Sequence, residues 1–284
     1  MPALIDIRRR IRSVKNTQQI TKALKMVSAA KLRRAQESMF AARPFARTMA
    51  QVLKDVAART EGEENHPLFR ATNKDGRVLL IVVTADKGLC GAFNSSLLRV
   101  AQRFLNENKH REIVVDAVGR KGRDYLRRRT KIRQEYIGVF QALAYLKAQE
   151  IAQSAMAAFL SGEVDEVVLL YNEFKSVIQQ RIVTQRLLPL EAVEEQAKAN
   201  AQEYLYEPEP RAIFDKLLPK VVEITVWQAL LESNAAEHGA RMAAMDSATR
   251  NANQTIDSLT LYMNKVRQAA ITKEIIEVVS GSAA

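Results

Sequence analysis

Two segments of the chain repeat apolar residues at alternating steps of three and four. From Leu4 the steps meet Leu4, Ile7, Ile11, Val14, Gln18, Thr21, Lys25, Ser28, Leu32, Ala35, Met39, Ala42, Ala46, Met49, Leu53 and Val56, of which twelve of sixteen are apolar. This spacing keeps one face of a helix apolar in a single heptad register. No glycine occurs before Gly62, so the pattern predicts one helix of roughly 80 Å at about 1.5 Å per residue. Pro44 sits inside it, and because the seam continues beyond, a kink is expected there. The second seam runs through Phe214, Leu217, Val221, Ile224, Gln228, Leu231, Ala235, His238, Met242, Met245, Thr249, Ala252, Ile256, Leu259, Met263, Val266 and Ala270. Pro208, Pro210 and Pro219 predict a loop and a first turn before it, and the helix should reach about Val279. Neither helix can bury its seam alone. Each is the other's most economical partner, which predicts an antiparallel two-helix coiled coil built from 1–60 and 211–284.

Between them, 61–210 reads as an inserted open α/β domain with a mostly parallel sheet. The run Arg77 to Thr84 predicts a buried strand, 94–108 a helix, Ile113 to Val118 a strand, and Gly119 to Arg129 a helix. Ile132 to Tyr136 predicts a short strand, Phe140 to Leu160 a helix, and Val164 to Tyr171 and Ser176 to Leu188 a final pair of strands joined around Asn172 to Lys175. Residues 61–76 and 191–210 read as polar connections.

Composition narrows the function. The 284 residues are 47% hydrophobic, without a continuous apolar run of spanning or signal-peptide type. Cys90 is the single cysteine, which excludes an internal disulfide and a zinc knuckle. Charge is uneven: residues 1–60 carry fourteen basic against three acidic side chains, which accounts for the whole net charge of +11. A basic face of this kind suits nucleic acid, anionic lipid or an acidic protein surface.

Catalytic chemistry finds little support. Thr84 to Asn94 follows a strand and opens a helix, the place where open α/β folds bind phosphates. Yet Gly88 and Gly91 supply neither a P-loop nor a dinucleotide fingerprint. His66, His110 and His238 are scattered, with no HExxH or carboxylate cluster, and no GxSxG elbow is present. The expectation is no catalytic, cofactor or metal residue in this chain. Two other features point to function. The first seam turns polar over Gln18, Thr21, Lys25 and Ser28, while Ile20, Ala23, Leu24 and Val27 form a stripe facing elsewhere. The end of the second helix carries Ile275, Ile276, Val278 and Val279 with no local cover.

At these residues the sequence resembles the gamma subunit of F-type ATP synthases. The resemblance spans Ile11 to Val27 with Ala29, Ala30 and Lys31, then Asp86 to Asn94, then Arg267 to Glu274 and on to Ser280 and Gly281, in family order. It implies a central rotary shaft that transmits rotation of a membrane c ring to catalytic beta subunits, for ATP synthesis or for hydrolysis with ion transport. The implied partners are the alpha and beta subunits of the catalytic ring, the epsilon subunit and the c ring; no cofactor and no nucleic acid are implied, and membrane contact comes only through the complex. The resemblance assigns ring contact to Lys22, Leu24, Lys25, Met26, Lys31 and Arg33, and to Arg267, Gln268, Thr272, Glu274, Ile275, Ile276 and Val279. It assigns contact with epsilon and the c ring to Tyr204, Tyr206 and Glu207. No long insertion or transit peptide is evident, so the implied place is the cytoplasmic face of a bacterial plasma membrane. Two other readings stay open from the residues alone: a basic coiled-coil arm binding nucleic acid through phosphates, and a nucleotide-binding enzyme resting on the Gly88–Gly91 turn.

Overall fold

The structure is a computed structural model that describes residues 2–57, 66–70, 75–177, 179–190 and 209–282. Helix α1 (Pro2–Ala57) and the last helix, α5 (Pro210–Ser282), lie against each other along most of α1. All sixteen positions of the first seam and all seventeen of the second are buried or partly buried, so the register read from the sequence is the register of the packing. The pairs Thr21–Thr249 and Arg43–Glu232 fix the antiparallel direction.

The inserted domain contains β1 (Val78–Val83), α2 (Phe93–Glu107), β2 (Ile113–Val118), α3 (Arg120–Leu126), β3 (Lys131–Tyr136), α4 (Tyr145–Leu160), β4 (Glu166–Phe174) and β5 (Gln180–Leu188). The sheet order is β3-β2-β1-β4-β5, parallel except for the antiparallel edge strand β5. Central β1 is apolar at every position and buried at every position because both sheet faces are covered. Leu79, Ile81 and Val83 face α4 and the first half of α5, while Val78, Leu80 and Val82 face α2 and α3.

Several boundaries differ from expectation, each for a local reason. Helix α5 begins at Pro210, and Pro219, expected in a first turn, lies nine residues inside it. Phe214 and Leu218 on that turn are buried in the domain core, and burial of two large side chains at about 1.5–3 kcal/mol each offsets the roughly 3 kcal/mol cost of an interior proline. Pro44 likewise lies within one assigned helix. Strand β4 runs on to Phe174 and β5 starts at Gln180, so of the expected turn, Asn172 to Lys175, only Lys175 lies between the strands. Asn172 stays in β4 because its backbone N–H meets Ser233 Oγ of α5 at 3.3 Å. Helix α4 starts at Tyr145, and Phe140 and Leu143 pack against the core ahead of it. The connection 61–76 is not wholly polar: His66 Nδ1 accepts from Leu68 N at 3.2 Å, Leu68 is buried, and Phe69 stacks on Phe214 with ring centroids 6.0 Å apart. Residues 191–208, including Tyr204, Tyr206 and Glu207, lie outside the described residues.

Thr84 closes the top of β1. Its hydroxyl donates to Val118 O at 3.0 Å and accepts from Gly122 N at 2.8 Å. Gly119, at φ 91°, passes so close that an added Cβ would lie 2.1 Å from Thr84 O. Gly119→Ala is therefore expected to cost at least about 3 kcal/mol through strain and collision, read as a lower denaturant midpoint.

His238 lies partly buried on α5, and desolvation, assisted by the charges of Arg241 and Lys31, lowers its pKa to about 4. The folded chain thus holds it neutral, whereas the unfolded chain protonates it near 6.5. Its contribution to stability is complete above that value and declines as pH falls toward 4. His238→Asn should flatten the stability profile between pH 6.5 and 4 by about 2 kcal/mol, measured by urea unfolding across that range.

Candidate functional site

The polar stretch of the first seam does not leave the interface; it meets a matching polar stretch on α5. Gln18 Nε2 donates to Asn253 Oδ1, Thr21 Oγ1 and Thr249 Oγ1 lie 2.8 Å apart, and Lys25 Nζ lies 2.5 Å from Asp246 Oδ1. Arg250 adds a 2.6 Å contact to Asp246 Oδ2, and Ser28 turns inward to bond Leu24 O at 2.7 Å. Donation from Lys25 holds the Asp246 carboxyl below the usual carboxylate range. A polar layer of this kind fixes the register of two helices at some cost in stability.

The outward stripe is real. Ile20, Met26 and Val27 are 60%, 67% and 53% exposed, Ala23, Lys22 and Lys31 are exposed, and Leu24 is half-buried. Arg33 is exposed and pairs with Glu37 one turn away, at 3.1 Å. Lys25 differs from its neighbours, since its ammonium is engaged by Asp246 within the pair of helices. The result is a mixed apolar and basic surface on α1, with no carboxylate on α1 between Asp6 and Glu37.

The far end of α5 stands clear of α1. The pairings place the start of α1 opposite about Ala270, and residues 271–281 are all exposed. Arg267, Gln268, Thr272 and Glu274 occupy the approach, and Ile275, Ile276, Val278 and Val279 are 58–71% exposed on the projecting turns.

At its other end α5 enters the α/β domain and becomes part of its core. Glu232 bridges the two units: one carboxylate oxygen accepts from Arg43 of α1 and the other from Phe174 N of β4, both at 2.9 Å. Farther along α5, Arg241 bonds Glu237 at 2.7 Å and Gly88 O at 3.3 Å. Desolvation pushes the Glu237 pKa up. The Thr84–Asn94 turn, weighed above as a phosphate cradle, is thus a joint. Asp86 Oδ1 accepts from Arg120 N at 3.0 Å and Gly138 N at 3.2 Å, Asn94 Oδ1 accepts from Ala85 N at 2.9 Å, and Gly91 stands at φ 56°. Arg43, Glu232, Glu237 and Arg241 escaped the sequence reading; a local signal was the i,i+4 spacing of Glu237 and Arg241 on α5. Among the described residues, no three His, Cys, Asp or Glu side chains cluster as metal ligands, and no helix is long and apolar enough to cross a membrane.

Comparison with known proteins agrees with this geometry. The family model described as ATP synthase matches residues 3–284. The ATP synthase gamma chain of Solibacter usitatus is 54% identical over 288 aligned positions, covering 100% of this chain and 99% of the relative. That of Geobacter metallireducens is 48% identical, covering 99% and 98%. Among solved structures, the central stalk and c-ring assembly of the Tetrahymena thermophila mitochondrial ATP synthase contains a chain 28% identical, with a TM-score of 0.61, covering 81% of this chain and 99% of that one. A chain from the Euglena gracilis mitochondrial enzyme, 18% identical, covers 100% of this chain and 94% of that one at a TM-score of 0.68, which supports the fold. A protein whose basic helix and projecting tip are joined through one continuous helix to an α/β foot, and whose full length matches these relatives, belongs to the ATP synthase gamma-chain family.

Proposed function

We infer that the chain is the central rotary shaft of an F-type ATP synthase, a non-catalytic subunit that carries rotation between a membrane c ring and catalytic beta subunits. One observation carries this reading: α5 runs unbroken for 73 residues, from the core of the foot, through the coiled-coil seam, to the exposed tip. Torque applied to the foot therefore reaches the tip without crossing a loop. The Glu232 bridge and the Arg241 clamp hold the foot to both helices against twisting, and the polar layer holds the helices in one register.

In this reading the chain comprises a coiled-coil helix at 1–60, a foot at 61–210 and a second coiled-coil helix at 211–284. The ring of alpha and beta subunits meets Lys22, Leu24, Met26, Lys31 and Arg33 on α1, where the excess basic charge complements an acidic partner surface. Lys25 serves the same region by fixing α1 to α5. Arg267, Gln268, Thr272 and Glu274 meet the ring higher up, and Ile275, Ile276 and Val279 turn within an apolar collar. Tyr204, Tyr206 and Glu207 belong to the connection that meets epsilon and the c ring. The complex sits on the cytoplasmic face of a bacterial plasma membrane.

The test is to extract the tagged chain from its native membranes in mild detergent. Recovery with alpha, beta and epsilon subunits and ATP hydrolysis is expected; a lone chain, or one bound to RNA, would overturn the reading. Within that complex, Lys25→Ala should change coupled synthesis by less than about twofold, because a half-exposed ion pair contributes only about 0–1 kcal/mol; a several-fold loss in reconstituted vesicles would contradict it. Replacing both hydroxyls of the polar layer, in Thr21→Val with Thr249→Val, removes a buried polar pair together. It should raise the thermal midpoint of the isolated chain, a gain of about 1 kcal/mol.

A further inference from the structure

The foot carries a second charged feature, unrelated to the shaft surface. The strands end near α5 residues 231–241 and begin at the opposite edge of the sheet, where β1, β2 and β4 start at Val78, Ile113 and Glu166. At that edge a cleft of about 240 Å³ opens between the end of α2 and the turn after α3, lined by Asn108, Lys109, Arg111, Arg129 and Thr130, with no carboxylate in its wall. Arg111 is built into it. Its side chain is only 9% exposed, Nε donates to Gly76 O at 2.8 Å, and Nη1 donates to Glu166 at 2.7 Å. Its Nη2 is buried with no hydrogen-bond partner. Leaving a buried guanidinium donor unsatisfied is costly, and an acceptor oxygen would relieve it.

The rim supplies the remaining charge. Arg129 is held in place by donation to Tyr125 O at 2.6 Å, with its guanidinium 3.7 Å from the Tyr125 ring centre, and Lys109 is exposed beside it. A neighbouring groove of about 760 Å³ between α2 and α3 adds Arg99, Arg103 and Lys121; its one carboxylate, Asp124, is engaged by Arg123 at 2.8 Å. Planar guanidinium donors backed by a lysine suit the tetrahedral oxyanion of a phosphate group.

We propose that the Lys109–Arg111–Arg129 cleft is a phosphate-binding site on the edge of the foot farthest from the shaft tip, taking either a phospholipid headgroup or free phosphate. This does not depend on the rotary reading, because the orphaned donor and the cation cluster belong to the foot alone.

The experiment uses the assembled complex with the wild-type chain and with Lys109→Ala/Arg129→Ala, two exposed positions whose loss leaves the fold intact. One arm measures co-sedimentation with phosphatidylcholine vesicles containing phosphatidylglycerol; the other measures the thermal midpoint with inorganic phosphate at constant ionic strength. A fall of about tenfold in vesicle capture by the variant identifies the headgroup. A phosphate-induced rise in midpoint that the variant lacks, with vesicle capture equal in both, identifies the free ion. Equal behaviour of the two chains in both arms overturns the site. Equal behaviour accompanied by weaker retention of the variant on native membranes also overturns it, in favour of an acidic protein partner.

Discussion

The structure depends on one constraint: an apolar seam some fifty residues long cannot be left in water, and only a partner of equal length can cover it. Helices α1 and α5 meet that requirement for each other, and everything else is arranged around the pairing. The α/β domain is inserted between them, so its own core must form on whatever face of α5 the seam leaves free. Hence Leu218, Val222, Val226, Ala229 and Leu230 pack against the sheet while Leu231 and Ala235 pack near α1. One helix serves two hydrophobic cores, and its middle is buried on almost every side.

Where two cores meet, polar groups have to be handled individually. Glu232 is largely removed from solvent, and it is tolerated because both oxygens are occupied, one by a guanidinium and one by a backbone N–H. Asp116 is treated similarly inside the foot: it is fully buried, burial raises its pKa, and Arg133 opposes the rise by donating to both carboxylate oxygens. The seam's polar layer is the partly buried counterpart of these pairs between the two long helices. It adds little attraction, but a slip of one heptad would part Lys25 from Asp246 and Thr21 from Thr249.

Much of this was legible in the sequence. Steps of three and four residues report a helix face directly, so the seams, their partnership and the uncovered tip could be read from Leu4 to Ala270. The sheet strands could be read because β1 is a continuous apolar run and β2 and β4 carry the shorter runs 113–115 and 167–171. Pairings across more than 150 residues could not: nothing local to Arg43 says that Glu232 is its partner, and nothing local to Gly88 says that its carbonyl receives Arg241. Short-range rules also misjudged positions governed by tertiary contacts. Asn172 has the chemistry of a turn, yet Ser233 of α5 keeps it in a strand, and Pro219 has the chemistry of a boundary, yet the core around Phe214 and Leu218 carries the helix past it. The polar stretch at Gln18 to Ser28 read as an interruption of the seam because the matching residues lie far away on α5.

The projecting end of α5 has a consequence for how the protein is made. From Ile271 to Ser282 a single helix stands in solvent with isoleucine and valine outward. A helix of about twelve residues without a packed face is marginal in water, and β-branched side chains lower its propensity further. The last three turns therefore form last, by extension from the packed part of α5, and with no packed face of their own they are the first part of the helix to fray.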